Sequence, residues 1–585
     1  MTSASGPPAA DSSASAAADA ARVARAEAEA AVARAEQAEA AAAAAAQAES
    51  AAAPPAADDS GTVAAVRAGY AFDGAVVEIG ALVDGGEPRA DVGVRIPLAM
   101  MNRHGLVAGA TGTGKTKTLQ VLAEQVAAQG VPVFAADVKG DLSGIAAAGT
   151  SSDKLLERTR GIGQEWTPTA SSTELLSLGG LGTGVPVRAT VSAFGPLLLS
   201  KVLGLNDTQE SSLGLVFHYA DQAGLPLLDL ADLRQVLTYL VSDEGKPELK
   251  ELGGLSSATA GVILRELVTF ADQGADAFFG EPELDTADLL RVDADGRGVV
   301  SLLELSHVQD KPALFSTFLM WLLADLYADL PEVGDTDKPR LVFFFDEAHL
   351  LFRDASKDFL DQVAQTVRLI RSKGVGIFFV TQTPKDVPSE VLAQLGSRLQ
   401  HQLRAHTPED AKSLKATVST YPTSEYDLAE VLTALPTGEA VVTVMSDRGA
   451  PTPVAWTRLR APQGSMDPLP AADVEALVAA SPLTPRYGQA VDRESAREML
   501  LARLEAGAEA AAAEKRAEAD ASDAARADDR TDRLRREAER ATRGSGSRPR
   551  RTSTRQTPAE KMLGEAGRTL AREIVRGIFR TGRRR

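Results

Sequence analysis

Eight successive residues, Gly109-Ala110-Thr111-Gly112-Thr113-Gly114-Lys115-Thr116, carry the first chemistry legible in this chain. Their spacing is G-x-x-x-x-G-K-T, in which glycines without a Cβ let successive backbone N–H groups turn inward around phosphate oxygens. A lysine placed as Lys115 is reaches the β- and γ-phosphates of a nucleotide as a point charge, and the Thr116 hydroxyl offers a ligand to Mg2+. The flanks suit this use. Residues 105–108 are apolar, and Leu119-Gln120-Val121-Leu122-Ala123 continues as a helical pattern whose dipole adds positive potential at its start. ATP with Mg2+ is the implied ligand.

A second piece completes such a site. Leu341-Val342-Phe343-Phe344-Phe345 is an apolar strand that ends in Asp346-Glu347. Buried acids at a strand end are costly without a cation beside them. Asp346 is read as a Mg2+ ligand and Glu347 as the general base that polarises an attacking water. Alone, Asp346 reads equally well as the N-cap of a following helix, and the phosphate loop in the same chain tips the reading toward metal. A third apolar run, Ile377-Phe378-Phe379-Val380, ends in Thr381-Gln382. Beside the other two strands, Gln382 comes within reach of the γ-phosphate or the water; a polar turn before Pro384 is the plainer reading. Phosphoryl transfer also calls for a positive charge, worth ~10³–10⁵ in rate. Arg371, Arg103, Arg398 and Arg404 are the candidates, and each is otherwise a surface arginine.

Positioning these groups takes a sheet. Continuous apolar strands alternating with helices predict an α/β fold whose parallel sheet is covered on both faces. Residues 63–104 read as a small β unit, with strand patterns over 75–83 and 92–96 around Asp84-Gly85-Gly86. Residues 105–149 and 336–460 read as the ATPase core, and 150–335 as a mostly helical insertion with one strand near 299–305. Residues 1–62 are an Ala/Glu-rich low-complexity extension. Residues 461–558 are a charged helical or disordered linker, and 559–585 a basic amphipathic helix. In that last segment Leu563, Ala566, Leu570, Ile574 and Ile578 line up beside Arg568, Arg572, Arg576 and Arg580.

Composition narrows the classes. The 585 residues include no cysteine, which excludes disulfides, thiolate metal sites and cysteine nucleophiles. The six histidines show no metal-site spacing. No apolar run is long enough to span a bilayer and no secretory signal is visible, so a cytoplasmic protein is expected. Net charge is −18, but residues 543–585 hold 13 Lys or Arg against 3 Asp or Glu, a basic tail on an acidic body. Nucleic acid would therefore be held locally, as inside a ring or by the tail.

Taken together, these pieces resemble the HerA/FtsK superfamily of ring-forming DNA translocases, and more closely its bacterial HerA-like ATPases. Beyond the loop, the likeness rests on Asn102-Arg103-His104-Gly105, Ala136-Asp137-Val138-Lys139-Gly140-Asp141-Leu142-Ser143-Gly144, Phe345-Asp346-Glu347-Ala348-His349, Val380-Thr381-Gln382 and residues 395–405. It covers roughly residues 65–460. The resemblance implies a RecA-like sheet, a helical insertion, a hexamer with ATP between subunits, DNA as the substrate and, for some members, a partner nuclease. It also implies that Arg371 acts across a subunit interface, with Arg103 a second phosphate-sensing candidate.

Three other classes share parts of this pattern. Two-domain superfamily 2 helicases share Asp-Glu-Ala-His but place their two motifs far closer than Lys115 and Asp346. A ring ATPase acting on protein, as in secretion or conjugation, fits the acidic body. A non-catalytic nucleotide-binding scaffold is disfavoured by the intact Lys115, Thr116, Asp346 and Glu347. The C-terminal helix has two open readings, docking on the body by its apolar stripe or binding DNA or an acidic membrane surface by its arginines.

Overall fold

The computed structural model describes residues 61–334, 336–353 and 357–543. The alanine-rich segment up to residue 60, the polar stretch after residue 543 and the basic helix expected over 559–585 lie outside the described residues. By its contacts the chain forms two units, which divide after Leu500.

The first unit is built on one twelve-stranded sheet. Its strands are β1 (Val76–Asp84), β2 (Glu87–Pro97), β3 (Gly105–Ala108), β4 (Val133–Asp137), β5 (Thr173–Leu178), β6 (Val185–Val187), β7 (Val300–Glu304), β8 (Leu341–Phe345), β9 (Val375–Thr381), β10 (Ser397–Gln400), β11 (Glu439–Thr443) and β12 (Ala455–Leu459). Their spatial order is β2-β1-β12-β11-β10-β3-β9-β8-β4-β7-β5-β6. From β10 to β6 every ladder is parallel, and from β2 to β10 every ladder is antiparallel. This is an α/β P-loop NTPase sheet of the RecA-like kind.

Why the middle strands read as unbroken apolar runs is now plain. Every residue of β3, β4, β8 and β9 is buried, because helices cover both faces. Alternate residues serve opposite cores: Leu106, Phe343, Phe345 and Phe379 on one face, Val107, Val342, Phe344 and Phe378 on the other. Helix α1 (Gly61–Gly69) leads into the sheet, and α2 (Lys115–Ala128) covers the Val107 face with Leu119, Leu122 and Val126. Helices α8 (Pro312–Asp329) and α9 (Lys357–Ile370) cover the Leu106 face with Phe318, Leu322, Val363 and Val367. Truncating a ring such as Phe344 to alanine would cost about 3–5 kcal/mol here.

Between β4 and β8 lie α3 (Asp153–Gly161), α4 (Val191–Val202), α5 (Asp207–Gln222), α6 (Leu230–Leu240) and α7 (Ser257–Asp272). Local sequence starts α5 and α6: Asn206 with Gln209, and Asp229 with Asp232, each close a capping box. This stretch also supplies β5, β6 and β7, so the insertion lengthens the sheet as well as decorating it. Periodicity pointed only to the last of the three. The hairpin of β1 and β2 likewise joins the same sheet, through β12. Helix α10 (Pro408–Val418) follows β10.

Residues 461–500 are tied to this body. The N–H groups of Gln463 and Gly464 donate to the buried Glu124 carboxylate at 2.7 and 2.8 Å, and Leu483, Tyr487, Ala496 and Leu500 are buried. Helix α11 (Ala471–Ala480) and the start of α12 (Ala496–Arg543) belong here. The second unit is described by the rest of α12. From 501 to 540 its side chains are exposed except for half-buried Leu504, as expected of an Ala/Glu/Arg helix with few large apolar residues. No described helix is long and apolar enough to cross a membrane.

Candidate functional site

The parallel strands deliver their polar residues to one edge, the carboxyl ends, where open α/β sheets hold ligands. The phosphate loop joins β3 to α2 there. Gly112 (φ 83°) and Gly114 (φ 105°) adopt left-handed backbone, which favours glycine over residues with a Cβ. Lys115 is 7% exposed and donates to the Ala110 carbonyl at 3.2 Å. Burial lowers its pKa, while the charges of Glu347 and Asp346 oppose that shift.

β9 stands between β3 and β8, so the loop and the acids of β8 flank one strand end. Asp346, 5% exposed, follows β8, and Asp137 ends the neighbouring β4. Carboxylate oxygens of Asp137, Asp141 and Asp346 lie within 4.8 Å of one another. Asp137 is oriented by the N–H groups of Gly140 and Leu142, at 2.8 and 2.9 Å. Asp346 Oδ2 and Asp141 Oδ1 are buried without a hydrogen-bond partner. Burial, then the Glu347 charge, pushes Asp346 up to about 7; burial pushes Asp137 up to about 6. Crowded, underbonded oxygen ligands of this kind suit a hard divalent cation, and Mg2+ fits the donor set.

Glu347 takes φ 47°, one of two non-glycine residues with positive φ among the described residues. Such a conformation costs ~1–3 kcal/mol and persists only where its surroundings enforce it. His349 Nδ1 stands 3.1 Å from Glu347 Oε2, and Lys139 forms an ion pair with Oε1. Burial alone would raise the Glu347 pKa, but these two partners outweigh it and hold the carboxyl at about 2. Gln382 leaves β9 exposed to solvent at the same edge, just before a turn that Asp386 fixes by accepting from Thr381 Oγ1 and Thr383 N–H at 2.9 and 3.0 Å.

The arginines part company. Arg404 Nη2 donates to the Thr111 carbonyl at 3.3 Å, on the loop itself, whereas Arg398 turns to Thr420 at 2.8 Å. Arg103 and Arg371 are at the opposite edge of the sheet. Arg103 closes the turn before β3, and Arg371 opens the turn before β9. Both charges bear on buried His104, whose Nδ1 accepts from Ile377 N–H at 3.0 Å. Seven residues of β9 separate Arg371 from its own strand's carboxyl end, roughly 20 Å at ~3.3 Å each. Neither arginine reaches the phosphate loop of its own chain.

Asp137, Asp141, Lys139 and His349 join the site beyond the residues that the sequence motifs nominate for it. Asp137 had a signal in hand, since it is an acid ending a buried strand just as Asp346 is. Lys139 had none, because its partner comes from a strand more than two hundred residues away.

A phosphate loop and paired acids on adjoining strand ends of a parallel sheet define a nucleotide-binding P-loop ATPase. A family model described as "Helicase HerA-like C-terminal" matches residues 84–585, and the chain belongs to that family. A DNA double-strand break repair helicase HerA from Sulfolobus acidocaldarius is 21% identical over 378 residues, 63% of this chain and 67% of the relative. Among solved structures, plasmid coupling protein TrwB with a non-hydrolysable ATP analogue superposes with a TM-score of 0.46 at 16% identity, over 68% of this chain and 97% of that one. VirB4 of Thermoanaerobacter pseudethanolicus gives 0.42 at 16% identity, over 67% and 98%. At these scores the assignment rests on sequence, not on superposition. The chain is a HerA-like ATPase motor.

Proposed function

We propose that this ATPase is a DNA translocase or helicase working as a ring, with ATP and Mg2+ bound where two subunits meet. The observation that carries the reading is the division of the candidate machinery between two sheet edges. Lys115, Glu347 and Gln382 share one edge with the loop, whereas Arg371 and Arg103 lie too far away to serve it. A second copy, presenting its arginine edge to the first, would complete the site; a hexamer is the assembly the family suggests.

In this reading the backbone of residues 109–116 and Lys115 hold the phosphates. Thr116 and Asp346 would hold Mg2+, with Asp137 and Asp141 in the same acidic cluster. When bound, the cation offsets charge that develops on the β- and γ-phosphate oxygens. Glu347 orients and deprotonates the water, helped by a fixed backbone that leaves its carboxylate little freedom. Its low pKa makes it a weak base while Lys139 and His349 hold it, so one of these contacts loosens in the active complex. Gln382 senses the γ-phosphate, and a neighbour's Arg371 stabilises the transition state.

The net charge of −18 favours a second reading, an ATPase acting on protein. Steady-state hydrolysis with and without linear duplex DNA, with Glu347→Gln as the blank, separates the two. Several-fold stimulation supports the DNA motor; hydrolysis indifferent to DNA moves the assignment to protein.

A further inference from the structure

The residue after β10, His401, has no part in the mechanism above, yet it is fully buried against the phosphate loop. The approach is close enough that a Cβ on Gly109 would lie 2.5 Å from that of His401. The surrounding backbone is also laced to the loop. His401 N–H donates to the Ala108 carbonyl at 2.7 Å, and Ala110 N–H donates to the Gln402 carbonyl at 2.8 Å. Gln400 Nε2 reaches the Ala108 carbonyl as well, at 3.0 Å.

Both ring nitrogens are engaged. Nδ1 is 3.1 Å from the Thr113 carbonyl oxygen, and Nε2 is 3.0 Å from Thr118 Oγ1 at the first turn of α2. A carbonyl oxygen can only accept, so Nδ1 must carry the proton; Nε2 is then the acceptor for the Thr118 hydroxyl. The imidazolium would meet both contacts too, with Thr118 Oγ1 accepting and donating its own proton to the Gly114 carbonyl at 3.3 Å. Burial holds the ring neutral, however, with its pKa lowered to about 4, and of the two neutral tautomers only the Nδ1–H form satisfies both contacts.

The consequence falls on a single peptide plane. In a trans peptide the C=O of one residue and the N–H of the next point in opposite directions. Holding the Thr113 carbonyl toward His401 therefore aims the Gly114 N–H the other way, into the cradle. Gly114 sits at φ 105°, and glycine tolerates a flipped peptide almost as well as this one. The freedom that lets the loop form also leaves this plane loosely determined. One other donor, Gly438 N–H at 3.2 Å, helps to hold it.

From these contacts we infer that His401 is a positioning residue that fixes the peptide between Thr113 and Gly114 so that its N–H faces the bound phosphates. The inference rests on the nucleotide reading of the loop. Two substitutions in the full-length chain separate this role from simple packing. Asparagine puts its amide nitrogen where Nδ1 is, and glutamine puts its own where Nε2 is. His401→Asn should keep the affinity for ADP with Mg2+ within about twofold. His401→Gln, although closer to histidine in volume, should lose about tenfold, the usual worth of a hydrogen bond to a charged group less what Gly438 retains. The loss should fall on KM for ATP, with kcat at saturation little changed. Equal behaviour of the two variants, or the reverse order, overturns the inference. Wild-type protein that fails to bind ADP overturns the nucleotide reading instead. If neither variant folds, the histidine tautomer decides the matter in wild-type protein labelled with 15N-histidine. A proton on Nδ1 of His401 is expected, and a proton on Nε2 overturns the proposal.

Discussion

The two edges of this sheet are made by the same strands and carry opposite charge. At the carboxyl edge Asp137, Asp141, Asp346 and Glu347 crowd around Lys115 and the phosphate loop. At the amino edge the charges of Arg103 and Arg371 bear on a buried, neutral His104. Burial pushes Asp346 and Asp137 up in pKa at the first edge; at the second, burial, with the two arginine charges adding to it, pushes the histidine down to about 4. On the proposed reading a single chain holds two half-sites rather than one whole one, and the sharpest tests treat the edges as separable parts.

Arg371→Ala should produce the largest effect, a loss of ~10³–10⁵ in hydrolysis rate with nucleotide affinity nearly unchanged. Glu347→Gln should cost ~10²–10⁴, again with ATP still bound. Their combination is more telling than either. Mixed in equal amounts, the two inactive variants should regain measurable hydrolysis, because a Glu347→Gln chain still offers Arg371 to the intact acid edge of an Arg371→Ala chain. A mixture as inactive as its components would break the two-edge picture and place each site within one chain.

The acid edge was largely legible in the sequence because strand ends are local. An apolar run that stops in Asp346-Glu347, or a glycine pattern followed by a helix, places its own chemistry without help from elsewhere. What could not be read was company. Asp137 and Asp141 join Asp346 only because β4 pairs with β8, a parallel ladder closed across about two hundred residues of insertion. Lys139 meets Glu347 for the same reason. The strand β5 escaped because Thr173, Glu174 and Ser177 break its apolar run, and β6 because it is short and Val185-Pro186-Val187 carries a proline that argues against a strand; β6 tolerates it as the outermost strand. The arginines needed topology most of all. Their positions before β3 and β9 were visible, but only the parallel direction of both strands puts them at the edge away from the loop.

The arginine edge also makes a prediction about pH. His104 accepts from Ile377 N–H through Nδ1, so protonation would break that bond and add a third positive charge beside Arg371 and Arg103. Its folded pKa of about 4 lies below the ordinary value of 6.5. Between those values the unfolded chain binds more protons than the folded one, so stability rises with pH across that window and is lost as pH falls from 6.5 toward 4. The contribution is about 3 kcal/mol for this one group. His401, also at about 4, adds a slope of the same sign. Melting temperatures of wild type and His104→Asn, followed from pH 7.5 to 4.5, should converge as pH falls. Parallel curves would show that burial beside the two arginines does not hold this histidine neutral.

Asp141 sharpens the comparison from the acid side, with a smaller effect and a diagnostic sign. Its Oδ1 is buried without a partner, as is Asp346 Oδ2, and the two belong to one cluster with Asp137. Removing a negative charge from three crowded carboxylates relieves repulsion when no cation is present, so Asp141→Asn should raise the melting temperature slightly in a chelator. The same change weakens the hold on Mg2+ or its waters, and the Mg2+ concentration for half-maximal hydrolysis should rise about tenfold, in the range seen when a partner outside the direct ligands is lost. Stability and metal affinity must move in opposite directions if the cluster is kept for the cation. Were both to fall together, Asp141 would be a structural acid, and the metal would rest on Thr116 and Asp346 without it.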